Sequence, residues 1–137
     1  MARVITDYLD LVVKKYPDNL AVSLDKQELT FKGLQVISKK IATSIIKKGL
    51  KNNPIIILLD KSPKTIVSLM GVAYSGNYYT ILDNTMPVDR MKKIIEILSP
   101  KILITDEKTL KLLLIFFLVR KFYYMNRCGI LSILMIY

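Results

Sequence analysis

The sequence predicts an α/β fold: a parallel βαβαβ core preceded by a helix and a β-hairpin. Three short apolar runs, Ile55-Ile56-Ile57-Leu58-Leu59, Tyr78-Tyr79-Thr80-Ile81-Leu82 and Ile102-Leu103-Ile104-Thr105, recur about 23 residues apart. Each is β-branched or aromatic and bounded by turn residues, as strands are. Helical periodicity fills both gaps. Hairpins need only about two to five linking residues, so gaps of this length are helical crossovers and the strands they join run parallel.

In chain order, Thr6 is expected to cap a first helix that turns Tyr8, Leu9, Val12, Val13 and Tyr16 inward, with Pro17 ending it. Residues 20–24 alternate toward a strand, Asp25-Lys26-Gln27 form a polar turn, and residues 28–31 return antiparallel. A helix over residues 32–48 follows, with Thr30 as its cap, Leu34, Ile37, Ile41, Ala42 and Ile45 on one side, and Gly49 just past its end. In the first crossover Ser62 is an N-cap and Pro63 sits at the first helical position, where its missing N–H costs nothing. The stripe Ile66, Val67, Met70, Ala73 and Tyr74 marks the inner face, and Gly76 stops the helix. Pro87 opens the second crossover helix, whose apolar face is Met91, Ile94, Ile95 and Leu98, and Pro100 ends it.

An apolar content of 52% with 23% charged residues describes a globular chain, and 137 residues make one domain or part of one. The net charge of +10 is divided evenly: residues 1–107 hold 16 basic against 11 acidic side chains, and residues 108–137 hold 5 basic and no acidic ones. Lys39, Lys40, Lys47, Lys48 and Lys51 have the clustering of a phosphate-binding patch. No nucleic-acid-binding motif accompanies them, so a solvated helix face is the preferred reading and no nucleic-acid partner is expected. One cysteine, Cys128, and no histidine exclude an intrachain disulfide, an ordinary zinc site and any Cys/His or Ser/His catalytic pair. Asp7, Asp10, Lys14 and Lys15 interrupt the apolar run a signal peptide needs, which makes the cytoplasm the default compartment.

The run from Leu69 to Arg90 resembles the second core motif of amino-acid adenylation domains, the AMP-forming ligases of non-ribosomal peptide synthetases and of D-alanine–carrier-protein ligases. Gly71, Gly76, Tyr79, Asp83, Pro87 and Arg90 fall on its places without a gap. Leu29-Thr30-Phe31-Lys32-Gly33-Leu34 is similar to the first core motif, Leu-Thr-Tyr-x-Glu-Leu, with Gly33 in place of the glutamate. Ser75 replaces an alanine, and Thr80-Ile81 replaces an apolar-proline pair. Asp83-Asn84-Thr85-Met86-Pro87 is closer to the D-alanine-ligase type, which points to an amino acid substrate.

The resemblance implies the N-terminal portion of an AMP-forming ligase large domain over residues 1–107. A hydrophobic, basic tail of uncertain origin occupies residues 108–137. Such enzymes attach AMP to a carboxylate, release pyrophosphate and pass the acyl group to a phosphopantetheine or coenzyme A thiol. ATP and Mg²⁺ are therefore expected for the full-length family. The Ser/Thr/Gly-rich phosphate loop ending in Pro-Lys-Gly, the ribose-binding aspartate and the C-terminal catalytic lysine have no counterpart in these residues. The expectation is a truncated fragment, inactive and without a bound cofactor on its own, to which no catalytic, cofactor-binding or metal-binding residue is assigned. Its expected partners are the remainder of the ligase or a phosphopantetheine carrier protein.

Asp60, Asp83 and Asp106 each follow a predicted parallel strand, on the edge where open α/β sheets bind ligands. Asp83 with Arg90 has the chemistry to hold a ligand polar group or Mg²⁺. The structural alternative is preferred: Asp83 organises the loop before Pro87, while Asp60 and Asp106 cap or turn. Tyr78 and Tyr79 point to opposite faces of their strand, and core packing is expected for both rather than stacking on a base. A Rossmann-type dinucleotide site is set aside because Asp60-Lys61-Ser62-Pro63 has no glycine.

The tail carries apolar runs over residues 112–119 and 130–137, split by Arg120, Lys121, Asn126 and Arg127, and neither run is long enough to span a bilayer. Out-of-frame translation of an A/T-rich gene is the preferred reading. Continuation of the domain comes second, and a membrane-surface anchor comes last. The reading alternative to an inactive fragment is a non-catalytic subunit complementing a separately encoded remainder of the ligase, or a membrane-associated basic protein.

Overall fold

The computed structural model describes residues 4–110 and 124–125. In chain order the elements are α1 (Ile5–Lys15), β1 (Leu20–Leu24), β2 (Gln27–Thr30), α2 (Phe31–Ile46), β3 (Pro54–Leu58), α3 (Pro63–Tyr74), β4 (Tyr78–Leu82), α4 (Val88–Leu98), β5 (Ile102–Asp106) and β6 (Tyr124–Met125). The chain divides into two compact units that interleave along the sequence. The first takes Met1–Lys51 and Lys61–Gly76, the second Asn52–Asp60 and Asn77–Tyr137.

In the first unit α1 begins at Ile5, one residue before the expected cap. Thr6 lies inside the helix and is buried, and the carboxylate of Asp7 accepts from the Val4 N–H at 3.3 Å instead. Leu9 is buried as expected, whereas Tyr8 and Tyr16 are exposed, because the inward face runs through Thr6 and Leu9. β1 and β2 pair antiparallel across a two-residue turn, Asp25-Lys26, and Gln27 already belongs to β2. Asp25 takes a φ of 53°, a left-handed conformation that a short polar side chain tolerates. The register slips between Leu20 and Val22, a bulge in β1.

Thr30 caps α2 as expected, its hydroxyl accepting from the Gly33 N–H at 3.1 Å. Leu34, Ser38, Ile41, Ala42 and Ile45 are the buried residues of the helix, which Gly49 follows at a φ of 71°. Gly33 lies in the first turn of α2 at a negative φ, but an added Cβ would lie 3.3 Å from the Thr30 hydroxyl that caps the helix, closer than an ordinary contact. The roughly 0.5–1 kcal/mol that alanine would gain by removing backbone freedom from the unfolded chain is therefore offset by displacement of the capping hydroxyl, and Gly33→Ala should leave stability within about 0.5 kcal/mol of the parent. A urea unfolding curve that shows a gain of more than about 1 kcal/mol would contradict this.

The buried residues of α3 differ from the expected stripe. They are Pro63, Val67, Ser68, Gly71 and Val72, while Ile66 is exposed and Met70, Ala73 and Tyr74 are half-buried. The shift follows from how tightly α2 and α3 approach: small side chains let the helix axes close in. The Ser38 hydroxyl donates to the carbonyl of Val67 at 3.1 Å, and a Cβ on Gly71 would fall 2.6 Å from Ile41 Cγ2. Gly76, at a φ of 72°, terminates α3 as the sequence indicates.

The second unit is built on a parallel sheet of order β4-β3-β5-β6. Central β3 is flanked in register by β4 (Ile56 opposite Thr80) and β5 (Ile56 opposite Leu103). Ile55, Ile56, Ile57 and Leu58 are fully buried, the pattern of a strand covered on both faces. Ile56, Leu58, Leu82, Met91 and Leu103 form a core against which Ile94, Ile95 and Leu98 of α4 are packed, as the periodicity of α4 predicts. Ser99 takes the left-handed conformation at the end of α4, and Pro100 follows. Past β5, residues 107–110 are helical, and β6 pairs parallel with β5 through Thr105 and Asp106. The expectations for the rest of the tail fall outside the described residues. No helix among the described residues is long and apolar enough to cross a membrane.

Candidate functional site

The parallel register sets the carboxyl ends of β3, β4 and β5 along one edge, with Leu58 opposite both Leu82 and Thr105. Asp60, Asp83 and Asp106 lie on or just beyond that edge, as their positions in the sequence predict. Each carboxylate has structural partners. Asp60 accepts from the Asn84 side-chain amide through Oδ1 and from Lys108 Nζ through Oδ2 at 3.1 Å, joining the segments that follow β4 and β5. This ion pair is largely exposed, a setting in which such pairs contribute little to stability.

Asp83 Oδ1 accepts from both the N–H and the hydroxyl of Thr85, each at 2.8 Å, closing an Asx turn ahead of α4. Asp106 Oδ1 accepts from the Thr109 N–H at 2.8 Å and so caps the helical turn that follows β5. Arg90 lies exposed in the first turn of α4, its N–H bonded to the Pro87 carbonyl. Among the described residues no three His, Cys, Asp or Glu side chains come together as ligands for a metal ion. Thr105 is fully buried, and among the described residues its hydroxyl has no hydrogen-bond partner.

Tyr78 and Tyr79 overturn the expectation of core packing. Both are exposed, on a strand that among the described residues pairs with β3 alone. Only Leu82 of this strand is buried.

The first unit holds a polar cluster not anticipated from the sequence. Asp10 Oδ1 accepts from Tyr74 OH at 2.5 Å and from Gln35 Nε2 at 2.6 Å, and Lys39 Nζ lies 3.2 Å away. The Lys39 ammonium also sits over the Tyr74 ring, 5.1 Å from its centre. One carboxylate thus ties α1 to both α2 and α3. Burial opposes the charged form of Asp10, but the bonds from Tyr74, Gln35 and Lys39 outweigh it and hold the carboxyl below its ordinary value. Burial and the adjacent Asp10 carboxylate push the Tyr74 phenol well above its ordinary range. The sequence did carry a signal, since Asp10 interrupts the inward stripe of α1 and an acid there needs donors. Of the five flagged lysines, Lys39 is spent in this cluster, while Lys40, Lys47, Lys48 and Lys51 are exposed.

Comparison with known proteins follows the same lines. The sequence profile of the AMP-binding enzyme family matches residues 9–120. Gramicidin S synthase 2 of Brevibacillus brevis is 32% identical over 101 residues, which are 73% of this chain and 2% of that protein. Bacitracin synthase 3 of Bacillus licheniformis is 33% identical over 96 residues, 69% of this chain and again 2% of the relative. The chain therefore spans a small fraction of the length of these relatives.

Solved structures that share its fold include one from Klebsiella oxytoca and one from Legionella pneumophila. The N-terminal subdomain of Klebsiella oxytoca NpsA superposes with a TM-score of 0.71 at 18% identity, covering 77% of this chain and 28% of that one. The fatty acid AMP ligase from Legionella pneumophila gives 0.72 at 19% identity, covering 77% and 20%.

Proposed function

The chain belongs to the AMP-binding enzyme family, and from that premise we propose that it is the N-terminal portion of an amino-acid-activating, adenylate-forming ligase that does not adenylate by itself. The gramicidin S and bacitracin synthases among its relatives support an amino acid as the substrate of the whole enzyme.

The observation that carries the second half is the state of the strand-end carboxylates. Adenylation develops negative charge on a pentavalent phosphorus, and stabilising it takes convergent N–H donors, a cation and usually a metal ion held by free carboxylates. Here Asp60 is bound by Asn84 and Lys108, Asp83 by Thr85, and Asp106 by Thr109. These residues build the edge on which a site can be erected and do not themselves form one, so no catalytic step is assigned to any of them.

Exchange of radiolabelled pyrophosphate into ATP, run with each amino acid including D-alanine, should remain at background for the purified chain. Amino-acid-dependent exchange above background would overturn this half of the proposal. A second reading is that the chain is a non-catalytic subunit supplying its α/β piece to a separately encoded remainder. It is favoured by a fold that reproduces part of a larger subdomain over 77% of the chain's own length. Exchange restored on mixing with a polypeptide that carries the phosphate loop would establish it. A phosphopantetheine carrier protein is then the expected acceptor of the activated acyl group.

A further inference from the structure

The backbone of β4 has two sides, and the hydrogen bonds assign them. The Tyr78 N–H donates to the Asn53 carbonyl at 3.3 Å, the first rung of the parallel ladder with β3. In a strand the N–H and C=O of one residue point the same way and alternate along the chain. Tyr78, Thr80 and Leu82 therefore face β3, and the N–H and C=O of Tyr79 and Ile81 face away from it. Among the described residues no strand pairs with that outer side. Tyr78, Tyr79 and Ile81 are also exposed, at 53%, 40% and 50%.

Outer strands are usually guarded by a charge, a proline or a bulge. Residues 78–82 have none of these, and their pairing with β3 is regular. Position 81 is where the adenylation motif has proline, and Ile81 restores an N–H on the outward side. The outward pattern is also self-complementary. Two copies of β4 brought together antiparallel about a two-fold axis at Thr80 would place Tyr79 of each opposite Ile81 of the other. All four residues have outward-facing groups, so each opposed pair exchanges two N–H···O=C bonds. The side-chain pairs are then Tyr79 with Ile81 and Thr80 with Thr80, both favourable cross-strand combinations. No charged residue lies within the ladder to oppose its own copy.

We propose that the free edge of β4 is a self-association surface, on which a second copy of this chain adds its own β4 antiparallel with Thr80 at the two-fold axis. The occupant is a second copy because the uncharged strand matches its own hydrogen-bond pattern without a gap. Each copy carries a net charge of +10, so the dimer should tighten as salt screens the repulsion between copies.

The test is sedimentation equilibrium of the full chain over a range of concentration and salt, alongside two kinds of variant. Ile81→Pro removes one donor from each copy and hence two of the four bonds, which should weaken the dimer about tenfold or more. Ile81→Val keeps the N–H and should not. In a Cys128→Ser background, Thr80→Cys should cross-link spontaneously, since a non-hydrogen-bonded antiparallel pair sets the Cα atoms about 4.5 Å apart, within disulfide range. Tyr78→Cys, opposite Leu82 in this register, should not cross-link. A chain that stays monomeric at every salt concentration would overturn the proposal. So would a dimer that Ile81→Pro leaves intact and Thr80→Cys fails to trap.

Discussion

Gly71→Leu should unfold the first unit, and Gly71→Ala should lower stability by about 2 kcal/mol despite alanine's better helix propensity. A Cβ at position 71 would lie 2.6 Å from Ile41 Cγ2, 2.7 Å from Ile41 Cβ and 3.1 Å from the Ser38 carbonyl. Two of these atoms belong to the rigid part of α2: a β-branched stem with restricted χ1, and backbone. Neither can rotate aside, so α3 must move outward. That movement would stretch the Ser38–Val67 hydrogen bond and open the contact around Ser68 and Val72. Helix propensity returns at most about 1 kcal/mol to alanine, less than the cost of forcing the helices apart. Urea unfolding of Gly71→Ala, of Ile41→Ala and of the double variant gives the coupling directly. The double variant should be more stable than the two single losses would sum to, because truncating Ile41 makes room for the new methyl. Strict additivity would show that Gly71 is not a packing residue.

Asp10→Ala should cost about 2 kcal/mol, the second-largest effect expected. Hydrogen bonds to a charged acceptor contribute roughly 1.5–3 kcal/mol each, but the Asp10 side chain is 39% exposed, so the sum is discounted for solvent screening. The pH dependence fixes the sign. The Asp10 carboxyl is held below its ordinary 3.8, so its contribution is present above that value and is lost as pH falls through the folded value. Tyr74 is held above its ordinary 10.0, so its contribution is present below pH 10 and is lost as pH rises through the folded value. Asp10→Asn, which keeps the shape and removes the charge, should therefore be less stable than the parent near neutrality and approach it in acid. Equal pH profiles for the two would refute the role given to the carboxylate.

Regular elements with both a start and a stop signal were legible in the sequence. Thr30 and Gly49 bracket α2, Pro63 and Gly76 bracket α3, and the three parallel strands fall within a residue of their expected bounds. The central position of β3 was not legible, since spacing gives the direction of a strand but not its neighbours. Periodicity also misjudged α3, because hydrophobicity points to Ile66 and Met70 whereas the close contact with α2 is made by residues too small to register as apolar. Tyr78 and Tyr79 failed for a related reason: their residue type suits a core, and only the strand order shows that β4 pairs with β3 alone among the described residues. At the candidate site the sequence located Asp60, Asp83 and Asp106 but not their partners. Asn84 and Lys108 are 24 and 48 residues from Asp60, and only the fold brings them to it.

The interleaving of the two units has a consequence for biosynthesis. A ribosome releases β3 before α3, so the central strand of the second unit emerges while the first unit still lacks its third helix. Neither unit can be completed as one uninterrupted stretch of nascent chain. The strongly apolar β3, residues Ile55–Ile57, must stay unpaired until β4 or β5 has also emerged. Over that interval the nascent chain displays the kind of segment that holding chaperones bind, and slowing translation beyond codon 60 should lengthen the exposure and lower the yield of soluble protein.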